Sequence, residues 1–213
     1  MTKIPNAQSG FTLVEMAIVL VIVGLMLGGL MMSLSQTRES TNRSEASTQL
    51  AEIEEALYGF AQDKGYLPNP VNASGVEITA GSPERHGFIP ASVLGLKGAR
   101  NGNGLLIDPW NNPLRYSVNT VFAKPSLITM AAVGTMEIRD ASGGAIIAPA
   151  IPAVVLTEGK NWATSASADE AENRDGDSAF VSAGYSETNF DDILIWLSGN
   201  ILRSRLIAAG KLP

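Results

Sequence analysis

From Met16 to Thr37 the chain carries no charged side chain, and Ala17 to Leu34 is dominated by Ala, Ile, Val, Leu, Met and Gly. A helix rises about 1.5 Å per residue, so roughly 20 such residues cross a bilayer core about 30 Å thick. The run predicts a helix whose membrane-spanning part covers about 16–35. One carboxylate, Glu15, stands at its entrance. A charge inside hydrocarbon costs about 3 kcal/mol or more, so Glu15 asks for a partner or a function. A short polar leader precedes it and stops at Gly10, and Phe11 opens the apolar stretch. Lys3 lies before the run and Arg38 after it, too few charges to orient a span by themselves.

Three other readings compete for this segment. Ser33-Leu34-Ser35 offers a small-x-small cleavage site and Lys3 a thin basic region, as in a secretory signal peptide. Against it, the apolar stretch is long for a signal and Glu15 is out of place. An uncleaved anchor, or a buried helix of a soluble protein, leaves Gly10-Phe11 and Glu15 unexplained. Gly24-x-x-x-Gly28, with Gly29 beside it, has the spacing that lets membrane helices approach closely. Glycine is also simply common in such helices.

Gly10-Phe11-Thr12-Leu13-Val14-Glu15 followed by an apolar run resembles the processing site of type IV prepilins and pseudopilins. The resemblance implies cleavage between Gly10 and Phe11 by a prepilin peptidase, methylation of the new Phe11 amine, and an assembly role for Glu15 facing that amine. It also implies other pilins or pseudopilins, an inner-membrane assembly platform and membrane lipid as partners. The location it implies is the bacterial inner membrane, single-pass with a periplasmic head, and then a filament. Many major pilins carry a Pro where this chain has Met32. The local helix melting tied to that Pro would here fall to Gly24, Gly28 and Gly29, each weakening helix by up to about 1 kcal/mol.

Beyond Ser35 the sequence turns polar but keeps a helical period. Leu50, Ile53, Leu57 and Phe60 form an apolar stripe, and Gly65, Pro68 and Pro70 end the helix. This predicts one helix over 11–63, its second half covered by a head over 64–213, with residues 1–10 as the leader. The head reads as β-rich. Leu105 to Ile107 and Leu114 to Val118 flank the turn Asp108-Pro109-Trp110-Asn111-Asn112-Pro113. Ser126 to Val133 and Ala150 to Leu156 are further strand candidates, Ile193 to Leu197 is a strand or helix, and Ile201 to Ala209 is a helix. The expected class is α+β: a long N-terminal helix packed on a small β-rich head. Asp108 to Tyr116 resembles a turn in the heads of type II secretion pseudopilins, as does Gly65-Tyr66-Leu67-Pro68. The tail from Asn189 to Pro213 is similar to a bacterial group of prepilin-type proteins.

The chain has no Cys and one His, and a net charge of −6. Disulfides and cysteine-based zinc sites are excluded, and no basic run suggests nucleic acid as a partner. No G-x-S-x-G elbow or phosphate-binding loop occurs; Gly159-Lys160 and Gly210-Lys211 lack the following hydroxyl. The expectation is no enzyme. His86, beside Arg85 and Gly87, reads as a surface loop residue.

One cluster suggests a ligand. Asp169, Glu170, Glu172, Asp175 and Asp177 lie close together with Asn173 and Gly176, and Asp191-Asp192 follow. Hard oxygen donors near a turn glycine suit Ca²⁺, although the spacing is not the twelve-residue EF-hand pattern. A solvated acidic loop is the other reading. Major pseudopilins, which the chain resembles, hold a calcium in a loop near the C-terminus; their ligands do not map one to one onto this sequence, and the candidates in the cluster itself are Asp175, Asp177, Asp191 and Asp192. The reading that follows is a pilin-like structural subunit, pseudopilin or minor pilin, of a type IV pilus or type II secretion pseudopilus. The alternative is a membrane-anchored extracytoplasmic binding module that uses the same export signal.

Overall fold

The computed structural model describes residues 10–163 and 167–212, with only the helical backbone course given for 27–35. Residues 1–9 of the expected leader, Gly28, Gly29 and Met32, and the alternative cleavage site at 33–35 lie outside the described residues or side chains. The chain divides into two compact units, Met1–Asn42 and Arg43–Pro213.

Helix α1 runs Leu13–Lys64. Its end follows from Gly65, whose φ of +81° is left-handed and whose N–H caps the Ala61 carbonyl at 2.7 Å. A Cβ there would also meet Leu127 Cδ2 at 3.1 Å.

In the second unit the stripe on α1 packs as its spacing predicts. Leu50, Ile53 and Leu57 are fully buried, joined by Tyr58 and Ala61; Phe60 is only half-buried. Each fully buried aliphatic side chain contributes about 1.5–3 kcal/mol. The stripe lies on a four-stranded antiparallel sheet of order β1-β2-β5-β7, with β1 Glu84–Phe88, β2 Arg115–Asn119, β5 Ala153–Thr157 and β7 Ile193–Trp196. Helix α3, Gly199–Ala208, starts on the cap Ser198 and closes this core with Leu202 and Leu206. Arg205 binds Glu55 of α1 through two hydrogen bonds of 2.7 and 2.8 Å and lies over the Tyr58 ring.

A second sheet, of order β4-β3-β6, covers the other face. Its strands are β3 Met136–Arg139, β4 Ile146–Ile151 and β6 Ala179–Val181, with β3 and β6 parallel. Strand alternation on β5 divides its side chains between two cores: Ala153 and Val155 face the helices, Val154 and Leu156 face Met136, Ile138 and Phe180. The α+β class and the helix on a β-rich head are as the sequence predicts. The second sheet is an addition that the sequence did not reveal.

Several local expectations need correction. Ser126 to Val133 is not a strand: apart from a bend at Ser126 and a turn at Met130 and Ala131, it is irregular chain. The candidate Ala150 to Leu156 is two strands, because Ala150 turns back with φ +58° and Pro152 has no N–H to give. The 105–118 hairpin is a tight turn closed by Asp108 N–H on the Asn112 carbonyl at 2.9 Å, with only its second leg in the sheet. His86 is not in a loop: it sits half-buried on β1, with Nδ1 2.9 Å from Ser117 Oγ.

Candidate functional site

The first candidate region is the start of α1. Thr12 precedes the first helical residue, and its backbone N–H and Oγ1 hydroxyl both donate to Glu15 Oε2 at 2.8 Å. The Glu15 N–H returns a bond to Thr12 Oγ1 at 3.2 Å. This is a capping box: two N-terminal backbone donors that helix geometry leaves unpaired are satisfied reciprocally. The sequence reading singled out Glu15 and missed Thr12; the signal was the Thr-x-x-Glu spacing itself.

Gly10 and Phe11 lie before this cap, both exposed, with Phe11 at 84 %. From Leu13 to Met26 the apolar side chains are exposed on every side of the helix. Such a surface is unfavourable in water at about 25 cal/mol per Å² and implies an apolar surrounding or neighbouring chains. Among the described residues no helix is long and apolar enough to cross a membrane; the expected span at 16–35 includes residues 27–35, whose side chains are not described.

The second region is acidic. Helix α2, Ala168–Glu172, carries Glu170 inward, and the segment before β7 carries Asp191 and Asp192. Their exposures are 0 %, 3 % and 5 %, and one carboxylate oxygen from each lies within 4.8 Å of the others. Glu170 Oε1 accepts from Asn161 Nδ2 at 3.0 Å and from the Asp191 N–H at 3.1 Å. Asp191 Oδ2 accepts from the N–H groups of Lys160 at 2.7 Å and Asn161 at 3.1 Å. Asp192 Oδ2 accepts from Asn173 Nδ2 at 2.8 Å, and Asn173 is itself held on the Val181 backbone. Gly159 makes the approach of Asp191 possible, since a Cβ there would stand 2.5 Å from the Asp191 Cγ.

The cluster is not self-sufficient. Glu170 Oε2 and Asp192 Oδ1 are buried and accept no hydrogen bond. Leaving buried acceptors unmet costs about 1–3 kcal/mol each, more where charged. Nearby, Glu158 is bridged by Arg115 at 2.7 Å and Arg174 at 2.9 Å. Burial pushes the Asp192 carboxyl up to about 7, and Glu170 and Asp191 push the same way; the bond from Asn173 and the charge of Arg174 oppose them. Buried acceptor oxygens without donors, on carboxylates brought within 4.8 Å of one another, fit a hard divalent cation.

Of the four residues predicted to hold a metal, Asp191 and Asp192 are brought together. Asp175 and Asp177 are exposed and serve their own turn: Asp175 Oδ1 accepts from the Asp177 N–H at 3.1 Å, and Asp177 Oδ1 from the Ala179 N–H at 2.7 Å. Asp169 and Glu172 bind Ser142 at 2.7 and 2.9 Å, tying α2 to the turn after β3. Glu170 completes the buried trio. Nothing in linear spacing separates it from its acidic neighbours; only its inward placement on α2 does.

The prokaryotic N-terminal methylation motif matches residues 5–31. The chain is also similar to the type II secretion system core protein G of Aeromonas hydrophila, 25 % identical over 138 residues, which cover 64 % of this chain and 91 % of that protein. No solved structure matches. The chain thus carries a prepilin-type methylation motif and is distantly homologous to that core protein.

Proposed function

We propose that this chain is a structural pilin-like subunit, pseudopilin or minor pilin, of a type IV pilus or type II secretion pseudopilus. The observation that carries this is the start of α1: a methylation motif, a capped Thr12–Glu15 turn, and a helix exposing apolar side chains all round. A prepilin peptidase cuts between Gly10 and Phe11. The mature helix resides in the inner membrane, with the span at about 16–35 and the head in the periplasm, until it packs against other subunits. Glu15 is the one charge on that apolar length, and the Phe11 amine, on its own or a neighbouring subunit, is its natural counter-ion. Such a pair attracts strongly where water is excluded and so sets the register of neighbouring helices. Filaments isolated from the native host and probed for this chain test the proposal: a subunit co-purifies with them in defined ratio, whereas a membrane-anchored binding module stays in the membrane fraction.

A second reading concerns the head. Glu170, Asp191 and Asp192 hold a calcium ion, which takes six to eight oxygens in all. The buried, bond-free oxygens of Glu170 and Asp192 favour it over a solvated acidic loop. Calcium there supplies charge compensation and cross-links α2 to the segment before β7. Calorimetric titration of the full chain in detergent with Ca²⁺ and with Mg²⁺ tests it; no heat of binding with Ca²⁺ removes it.

A further inference from the structure

Arg43 of α1 reaches the segment that carries Asp191. Its guanidinium lies over the Tyr185 ring, 3.9 Å from the centroid, and Nη1 donates to the Asp191 backbone carbonyl at 3.1 Å. Between those two residues the chain folds back on itself: the Ser186 N–H bonds the Phe190 carbonyl at 2.8 Å and the Phe190 N–H bonds the Ser186 carbonyl at 3.0 Å. Tyr185 and Asp191 therefore flank the open end of one short hairpin, and Arg43 grips both legs. Asp191 is engaged at both ends. Its carbonyl is held by the helix, and its carboxylate belongs to the buried trio.

We propose that Arg43 couples occupancy of the cation site to the order of α1 where the head begins. This rests on the calcium reading above. A cation that fixes the Asp191 and Asp192 carboxylates fixes the 185–192 hairpin, and the hairpin then presents a rigid carbonyl and ring to Arg43. Coupling between two sites is reciprocal: if calcium steadies the grip, the grip must strengthen calcium binding by the same factor. The sign separates this from simple electrostatics. Arg43 is a cation near a cation site, so removing its charge alone would tighten calcium binding. Loss of the grip loosens it.

The experiment uses the full chain in detergent micelles, with calcium titrated calorimetrically and hydrogen exchange followed over residues 43–52. In the wild type, calcium slows exchange there. Arg43→Ala binds calcium about fivefold more weakly or worse, and calcium no longer slows exchange at 43–52. Tyr185→Phe, which keeps the ring, behaves as wild type; Tyr185→Ala, at a half-exposed position, moves in the direction of Arg43→Ala and serves if that variant does not fold. Equal or tighter binding by Arg43→Ala, or calcium-dependent slowing that persists in it, overturns the coupling and leaves the calcium site standing. A wild type that takes up no calcium overturns both.

Discussion

Thr12 and Glu15 complete each other's hydrogen bonds: the Thr12 N–H and hydroxyl meet Glu15 Oε2, and the Glu15 N–H meets Thr12 Oγ1. One side chain thus serves two demands, helix initiation and the lone charge of an apolar segment. Glutamine can serve the first but not the second. Glu15→Gln should therefore keep the helix start and be processed normally, yet fail to enter filaments, as Glu15→Ala also should. Immunoblots of sheared filaments against membrane fractions decide this. Incorporation of Glu15→Gln at the wild-type level would show that the charge is dispensable.

Processing is expected between Gly10 and Phe11. N-terminal sequencing of the protein from its native host should start at Phe11, with the amine methylated. Gly10→Val should leave the precursor uncut in the membrane. A start at Gln36 would instead indicate cleavage after Ser33-Leu34-Ser35 by a signal peptidase.

Calcium should raise the melting temperature of the full chain in detergent relative to chelator. At ten times Kd the gain is about 1.4 kcal/mol, and Mg²⁺ should not reproduce it. Asp192→Asn should abolish the gain while being at least as stable as wild type in chelator, because it removes a buried charge. Asp175→Ala with Asp177→Ala should leave the calcium effect in place, since those side chains serve their own turn.

His86 predicts an acid sensitivity of defined sign. Burial holds its imidazole below the ordinary 6.5, and Arg115 adds to this while Glu84, Asp177 and Asp175 oppose it. The folded state therefore prefers neutral His86. As pH falls through about 6.5 the unfolded chain takes up the proton first, and stability is lost. Between pH 7.5 and 5 the melting temperature of His86→Gln should fall less than that of wild type. Parallel curves for the two proteins would remove His86 from the account.

On the α1 stripe, Ile53→Ala should cost about 2–5 kcal/mol of head stability. Phe60→Ala should cost less than a buried aromatic normally would, because Phe60 is only partly covered and meets Tyr66 edge-on with centroids 6.0 Å apart. Denaturant midpoints of the two variants give the comparison.

What the sequence revealed was what periodicity encodes. Leu50, Ile53 and Leu57 recur at helical spacing, and Gly65 and the prolines after it mark the end of α1 within a residue or two. The class of the head followed from its turn chemistry. The second sheet did not, because β3 and β6 are only four and three residues long and pair across some forty positions. So short a run leaves no alternation to count, and its partner is set by tertiary packing. The acidic site was half legible. Asp191 and Asp192 stand out as a pair, but Glu170 differs from Asp169 and Glu172 only in which side of a five-residue helix it occupies.

Strand β5 is buried along its whole length, with neighbouring residues committed to opposite cores. Neither layer can come apart while the other keeps its floor. The head should therefore melt in one transition rather than two, and a fault introduced at Val154 from the second-sheet side should reach the packing of α1 through the next residue, Val155.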